Sequence, residues 1–266
     1  MKVGIFYKEN KVRDESVIVH ISQLIDRRGS KAVVFRSAEE IDGVDRLLVL
    51  GGDGTVLSAA KAASKTGVPI VGINYGTLGF LTEFERNEIE NAVDLILDEE
   101  CAVVSHAMLE VDLNGVKTHC LNEMTLHRNI SAKKDVQIAT ITVKIDGSSA
   151  GDFRADGLIV CTPTGSTAYS LSAGGSIMTP DCPTFMITPL CAFSLKSRPI
   201  AYSDNSTLSF EFPSHLGSLI LYGDGKFLGE VKGDDALIVR KSNRVVRFLT
   251  KDRNGFFRRL TEKISY

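Results

Sequence analysis

The sequence predicts an α/β N-terminal domain with a parallel sheet, followed by a mostly β C-terminal domain whose tail packs back on the first. Three observations predict it. Residues 2–74 alternate short apolar runs with helical patterns, which is how parallel strands joined by crossover helices read. From 102 to 160 the runs become Val/Ile/Thr-rich with period-two stretches, the mark of antiparallel strands. The chain has 266 residues and is 43% hydrophobic, enough for a real core in one large domain or two ordinary ones.

Each element follows in order. Residues 2–7 read as a strand, 14–28 as a helix stopped by Gly29, 31–36 and 46–50 as strands, 55–65 as a small-residue helix and 69–74 as another strand. Residues 88–99 add a helix whose Ile89, Val93, Leu95 and Ile96 share one face. The alternating run 138–145 leads into Asp146-Gly147, a hairpin turn signal. Further strands are expected at 208–212, 219–222, 227–231, 236–240 and 245–249, separated by Gly, Asp and Asn turns. The segment 256–266 is amphipathic. The expected boundaries are 1–100 for the α/β domain, 101–250 for the β-rich domain and 251–266 for the returning tail.

Charge and cysteine usage exclude several classes. Thirty-one Lys plus Arg against thirty-three Asp plus Glu leave a net charge of −2, so no global field favours nucleic acid or an anionic membrane. Anion binding must then be local. The five cysteines are widely spaced and form no Cys-x-x-Cys pair, which argues against a disulfide framework and a zinc site and for the reduced thiols of a cytosol. The first residues lack the basic and apolar regions of a signal peptide, and no apolar run approaches membrane-spanning length. A cytoplasmic protein is expected.

Five segments carry the chemistry. Gly51-Gly52-Asp53-Gly54-Thr55 joins a predicted strand to a helix: its glycines allow close approach of a ligand and the helix amides face an anion, while Asp53 suits orienting a hydroxyl for attack. A tight turn with Thr55 near the N-cap explains the same residues without function. Residues 72–80, ending Leu78-Gly79-Phe80, lie at the C-terminal end of another predicted strand, where ligands of open α/β sheets collect. Asn122-Glu123 can bracket a ribose diol, although an exposed strand face reads the same way. Arg154-Ala155-Asp156-Gly157 leads through an apolar strand into Thr162-Pro163-Thr164-Gly165-Ser166-Thr167-Ala168-Tyr169-Ser170-Leu171-Ser172, whose hydroxyls and amides form a nucleotide cradle with Tyr169 available to stack on a base. Lys196 and Arg198, after Ile187-Thr188-Pro189, are cations able to meet phosphates, or simply solvated.

In this order, the Gly-Gly-Asp-Gly-Thr loop, Asn-Glu-x-Thr, Arg-x-Asp-Gly and Thr-Pro-Thr-Gly-Ser-Thr-Ala-Tyr-Ser resemble the NAD kinases over nearly the whole chain. The first motif is shared with lipid kinases and phosphofructokinases; the last is much more specific. The resemblance implies transfer of a phosphoryl group to the adenosine 2′-hydroxyl of NAD from ATP or inorganic polyphosphate with Mg²⁺, and Asp53 as general base. It implies that Gly54 lies close to substrate, Phe80 flanks adenine, Asn122 and Glu123 hold a ribose, and Asp156 meets the nicotinamide ribose. Thr167, Ala168, Tyr169 and Ser172 would line the dinucleotide pocket beside Arg154. It implies no protein metal ligand and a homodimer or homotetramer, with neither nucleic acid nor membrane as partner. Phe193 departs from the family, where many members carry His in Ala-Pro-His-Ser-Leu, so a polar pocket contact is missing there. Tyr222-Gly223-Asp224-Gly225 resembles the family's later Asp-Gly turn among different neighbours.

Rival readings make different predictions. A lipid kinase needs an apolar acceptor pocket and a membrane-facing surface, and no basic amphipathic helix is present. A non-catalytic NAD sensor would keep the pocket and have no use for Asp53. A Rossmann dehydrogenase needs Gly-x-Gly-x-x-Gly where Tyr7-Lys8-Glu9-Asn10 stands.

Overall fold

The computed structural model describes residues 1–76, 79–129, 138–213, 217–252 and 254–263. The first elements in chain order are β1 (Lys2–Tyr7), α1 (Ser16–Arg27), β2 (Lys31–Phe35), β3 (Arg46–Leu50), α2 (Asp53–Thr66), β4 (Ile70–Asn74), β5 (Phe84–Glu85), α3 (Ile89–Leu97) and β6 (Ala102–Leu113). There follow β7 (Val116–Cys120), β8 (Glu123–Arg128), β9 (Ala139–Ile145), β10 (Ser148–Ala155), β11 (Gly157–Cys161), α4 (Tyr169–Ser172) and β12 (Thr184–Leu190). The last are β13 (Ile200–Ser203), β14 (Leu208–Glu211), β15 (Leu219–Gly223), β16 (Lys226–Val231), β17 (Leu237–Thr250) and α5 (Gly255–Lys263). The chain divides into two compact units, 1–106 with 244–266, and 107–243.

In the first unit β2, β1, β3 and β4 are neighbours in that order, all parallel. The order reverses between β1 and β3, and a sheet of this kind binds ligands at such a switch point, beyond the carboxyl ends of its strands. Continuous apolar runs suit strands covered on both faces, and β3 and β4 are buried at almost every position. Helix α1 buries Ile18, Ile21 and Ile25, spaced along one face. Helix α2 buries Val56, Ala59, Ala60 and Ala63, and ends at Gly67 in the left-handed conformation (φ 73°), where a residue with a Cβ is strained. The end of β17 adds to the same sheet by parallel pairing of Phe248 with Ile70. Helix α5 is held to this unit by Arg259, which donates to Glu83 at 2.7 Å.

The second unit is built from antiparallel strands. A six-stranded sheet runs β13-β12-β11-β8-β15-β16, and β10, β9, β14 and the start of β17 pair in that order. Their apolar faces meet in one core that includes Met124, Leu126, Leu158, Val160, Phe185 and Val239. Three hairpins turn on Asn114-Gly115, Asp146-Gly147 and Asp224-Gly225, each with positive φ at both residues. That is the two-residue turn whose twist matches the flanking strands, and Asn or Asp followed by Gly is its sequence requirement.

One expectation needs correction, and one strand was not foreseen. The strands expected at 236–240 and 245–249 are one strand, β17. The intervening Lys241-Ser242-Asn243-Arg244 has no Gly or Pro to turn on, and buried Ser242 bonds to the His119 ring at 2.9 Å, which keeps the strand extended. Strand β12, at Thr184–Leu190, was not among the expected strands. Pro189 faces Leu158 of β11, while β13 pairs only with Thr184 to Ile187, so the missing proline N–H falls beyond the β13 ladder.

Candidate active site

In the first unit the loop after β3 begins at Gly51, whose φ of 155° places it in a region that favours glycine. A Cβ there would also overlap the Thr55 hydroxyl. Helix α2 opens at Asp53 with no side chain capping it; the Thr55 amide already donates to the Gly52 carbonyl at 2.8 Å, so the Asp53 and Gly54 amides are the ones that precede the helix's own hydrogen bonds. The Asp53 carboxylate accepts from the Phe80 amide at 2.8 Å and from the Leu81 amide at 3.0 Å, one on each oxygen. Gly79 lies so close that a Cβ would overlap Asp53 Oδ1. Phe80 is therefore beside Asp53 as part of its support, and Gly54 is exposed on the first helical turn. Thr77 and Leu78 of the same loop lie outside the described residues. Lys8, immediately beyond β1, donates from Nζ to Ser58 Oγ at 2.7 Å, and Ser58 donates to the Gly54 carbonyl at 2.9 Å. The loop at the end of β1 thus brings a cation to the same helix start.

In the second unit, period-two alternation puts Glu123, Thr125 and His127 of β8 on one face, with Met124 and Leu126 in the core on the other. The turn before β8 is held from two sides. Asp224 accepts from the amides of Leu121 and Asn122, both at 2.8 Å, and of Glu123 at 3.3 Å. Thr162 Oγ1 donates to the Leu121 carbonyl at 2.6 Å, and a Cβ on Gly165 would overlap the Asn122 carbonyl. Asn122 and Glu123 are both buried, yet Asn122 Oδ1 and Glu123 Oε2 have no hydrogen-bond partner. Buried polar atoms without partners are rare and mark a place for a ligand or water. Burial first, then the charge of Asp224, push the Glu123 carboxyl up to about 7, against a lowering hydrogen bond from the Tyr169 backbone.

Tyr169 is exposed and stacks on His127, with ring centroids 6.2 Å apart at 12°; Tyr222 meets the His127 ring edge-on at 5.7 Å. Burial lowers the pKa of His127, so the group is an aromatic platform with little positive charge at neutral pH. Thr167 and Ala168 are half-buried beside Tyr169, and Ser172 is exposed at the end of α4. The neighbouring Ser170 is structural: it is fully buried and shares a 2.8 Å hydrogen bond with Thr188. Asp156 pairs with Arg128 Nε at 3.1 Å, and Arg154 lies over the exposed Phe193 ring at 4.9 Å. Lys196 and Arg198 are solvated. Asn122, Glu123, Thr167, Ala168 and Tyr169 thus cluster, whereas Arg154 and Asp156 are turned to partners of their own. Sequence reasoning missed His127 and Arg128. The only available signal was the period-two spacing that puts His127 on the face of Glu123.

Residues 7–101 match the ATP-NAD kinase N-terminal domain and residues 121–250 the ATP-NAD kinase C-terminal domain. The chain belongs to the NAD kinase family. The NAD kinase of Koribacter versatilis is 32% identical over 99% of this chain and 98% of its own length. NAD kinase 2 of Prochlorococcus marinus is 40% identical over 82% of this chain and 72% of its own. Among solved structures, the yeast NADH kinase complexed with NADH superposes with a TM-score of 0.89 at 24% identity, covering 100% of this chain and 88% of that one. An Archaeoglobus fulgidus NAD kinase in complex with ATP gives 0.82 at 24% identity, covering 100% and 99%. These two establish the shared fold. As an NAD kinase the chain is a phosphotransferase that converts NAD to NADP, and no helix among its described residues is long and apolar enough to cross a membrane.

Proposed function

We propose that Asp53 is the general base of this NAD kinase and that ATP or inorganic polyphosphate is its phosphoryl donor. The observation that carries the reading is the support of Asp53: one backbone amide on each carboxylate oxygen, delivered by the segment that follows β4. Hydrogen bonds to a carboxylate are shorter and stronger than neutral ones, so the side chain is fixed before substrate arrives. Each oxygen keeps a lone pair for an incoming hydroxyl.

In the reaction the adenosine 2′-oxygen forms a bond to the donor's terminal phosphorus, the bond from that phosphorus to its bridging oxygen breaks, and the hydroxyl proton passes to Asp53. The transition state is loose, so positioning and charge neutralisation supply most of the acceleration and a strong base is unnecessary. The amides at the start of α2, together with Lys8, are the groups suited to the donor's phosphates. The sequence has no Gly-x-x-x-x-Gly-Lys-[Ser/Thr] loop, which fits a site with few dedicated donor contacts and hence a broad donor range. Among the described residues no three His, Cys, Asp or Glu side chains gather as metal ligands. Mg²⁺, a hard cation that is commonly bound through substrate phosphates, would arrive with the donor.

For the dinucleotide, Asn122 and Glu123 supply the buried, partnerless polar atoms that a ribose would satisfy, and Tyr169 supplies a face for a ring. In this reading Thr167, Ala168, Ser172 and Arg154 would line the dinucleotide pocket, Asp156 would meet the nicotinamide ribose, Gly54 would lie close to substrate and Phe80 would flank the adenine. A homodimer or homotetramer is part of the proposal.

NADP formation from NAD with ATP or polyphosphate, read through an NADP-specific dehydrogenase, tests the reading. Asp53→Asn is expected to lose about 10²–10⁴-fold in turnover, the usual value of general-base help, while dinucleotide binding persists. Near-normal turnover in that variant would sink the assignment.

A further inference from the structure

The segment 79–83 ties Asp53 to the far end of the chain. Its Phe80 and Leu81 amides hold the Asp53 carboxylate, and two residues on, the Glu83 amide donates to the Gly72 carbonyl at 3.0 Å. The Glu83 carboxylate is 7% exposed and accepts from three groups near the C-terminus. Thr250 Oγ1 (3.1 Å) and the Lys251 amide (3.0 Å) take Oε1, and Arg259 Nη1 of α5 takes Oε2 at 2.7 Å. All these residues belong to one compact unit.

Arg259 is itself mostly buried, at 19% exposure, and its Nε has no partner. The His106 ring, tilted against Phe248 with centroids 4.7 Å apart, is held neutral: burial first, then the Arg259 charge, lower it to about 4. A buried guanidinium beside a neutral imidazole has Glu83 as its ion-pair partner, and a buried ion pair is weak evidence for stability as such. What the pair can contribute instead is a fixed geometry for the segment that carries Glu83.

We propose that Arg259 is a positioning residue for phosphoryl transfer, acting through Glu83 to set the 79–83 segment and so the two amides that aim Asp53. The inference rests on the reading of Asp53 as the base. Without Arg259 the buried Glu83 carboxylate keeps the Thr250 hydroxyl and the Lys251 amide on Oε1 but loses its ion-pair partner on Oε2, which favours a shift of Glu83 toward water that carries Leu81 and Phe80 with it. A displacement of about 1 Å at a reacting group is enough to cost about 10²-fold.

The test is a cycle of native enzyme, Asp53→Asn, Arg259→Ala and the double variant, with kcat, KM for NAD and Tm measured for each. Arg259→Ala is expected to lower kcat by about tenfold to a hundredfold with KM for NAD within about twofold. In the Asp53→Asn background the same change should cost nothing further, since there is no base left to aim. Arg259→Lys, which keeps the charge, is expected to recover part of kcat and serves in place of the alanine variant if that does not fold. A fall in Tm with kcat unchanged, or an equal loss of kcat in both backgrounds, would overturn the proposal and leave Arg259 a stabilising residue. Full turnover in Asp53→Asn alone overturns the base assignment and the inference with it, whereas a loss there with normal Arg259 variants overturns the inference alone.

Discussion

Glu123 is a buried carboxyl of the second unit whose titration is moved into the neutral range. Its carboxyl, ordinarily at 4.5, is raised to about 7 by burial and by the Asp224 charge. The folded protein therefore holds the proton more tightly than the unfolded chain does. Between pH 4.5 and 7 the unfolded state binds fewer protons, so the Glu123 contribution to stability falls as pH rises through that window and is flat above it. The difference in pKa corresponds to an upper bound on the order of 3 kcal/mol for the apo protein. His106, lowered to about 4, acts in the opposite sense, because a histidine held neutral favours the folded state as pH rises toward 6.5. The native pH profile mixes the two. Glu123→Gln isolates one: the variant should gain stability relative to the native chain as pH rises from about 5 to about 7, read as Tm or as the urea midpoint. A constant difference between the two proteins across that range would mean that Glu123 is ionised throughout.

The hairpin β15–β16 shows how a turn becomes a site element. A two-residue turn of this type needs positive φ, and Asp224 at 47° with Gly225 at 73° meets that need. The same geometry lays the Asp224 carboxylate against the amides of Leu121, Asn122 and Glu123. Asp224→Asn keeps a residue tolerant of this backbone but halves the acceptor capacity and removes the charge. It should fold, raise KM for NAD by about tenfold or more, and lower the Glu123 titration part of the way, since burial, the larger cause, remains while the like charge is gone. A variant with unchanged KM would show the clamp to be dispensable. Asp-Gly was legible in the sequence as a turn, and the resemblance flagged it, but the amides that donate to Asp224 lie about a hundred residues away and no spacing rule connects them. Lys8, Glu83 and Arg259 are hidden for the same reason, their partners lying far off in sequence. Strands, turns and the loop at Asp53 were readable because each is written in consecutive residues. Strand β12 was not, because Pro189 is tolerated only through the shortness of its neighbour, a tertiary fact.

At the scale of the whole chain the two units differ in how sequence builds them. Residues 107–243 are contiguous and contain the six-stranded sheet and the paired strands β10, β9, β14 and the start of β17, whose Val239 faces Leu208. Residues 1–106 are incomplete by themselves. Their sheet lacks the Phe248 pairing to Ile70, their core lacks Leu249, and Glu83 and His106 lose Arg259 and Phe248, which arrive only with 244–266. Removing one partner of a buried ion pair is typically destabilising by about 3–5 kcal/mol, a large part of what a domain of that size possesses. A fragment of 107–243 is thus expected to fold alone, with cooperative urea unfolding and dispersed amide resonances. A fragment of 1–106 should remain unfolded or molten, and a single chain joining 1–106 to 244–266 through a flexible linker should recover cooperativity. The linker contributes only chain closure, whose cost grows slowly with length, so recovery would locate the missing stability in the last twenty-three residues. Cooperative folding of 1–106 without them would instead place it within the first four parallel strands.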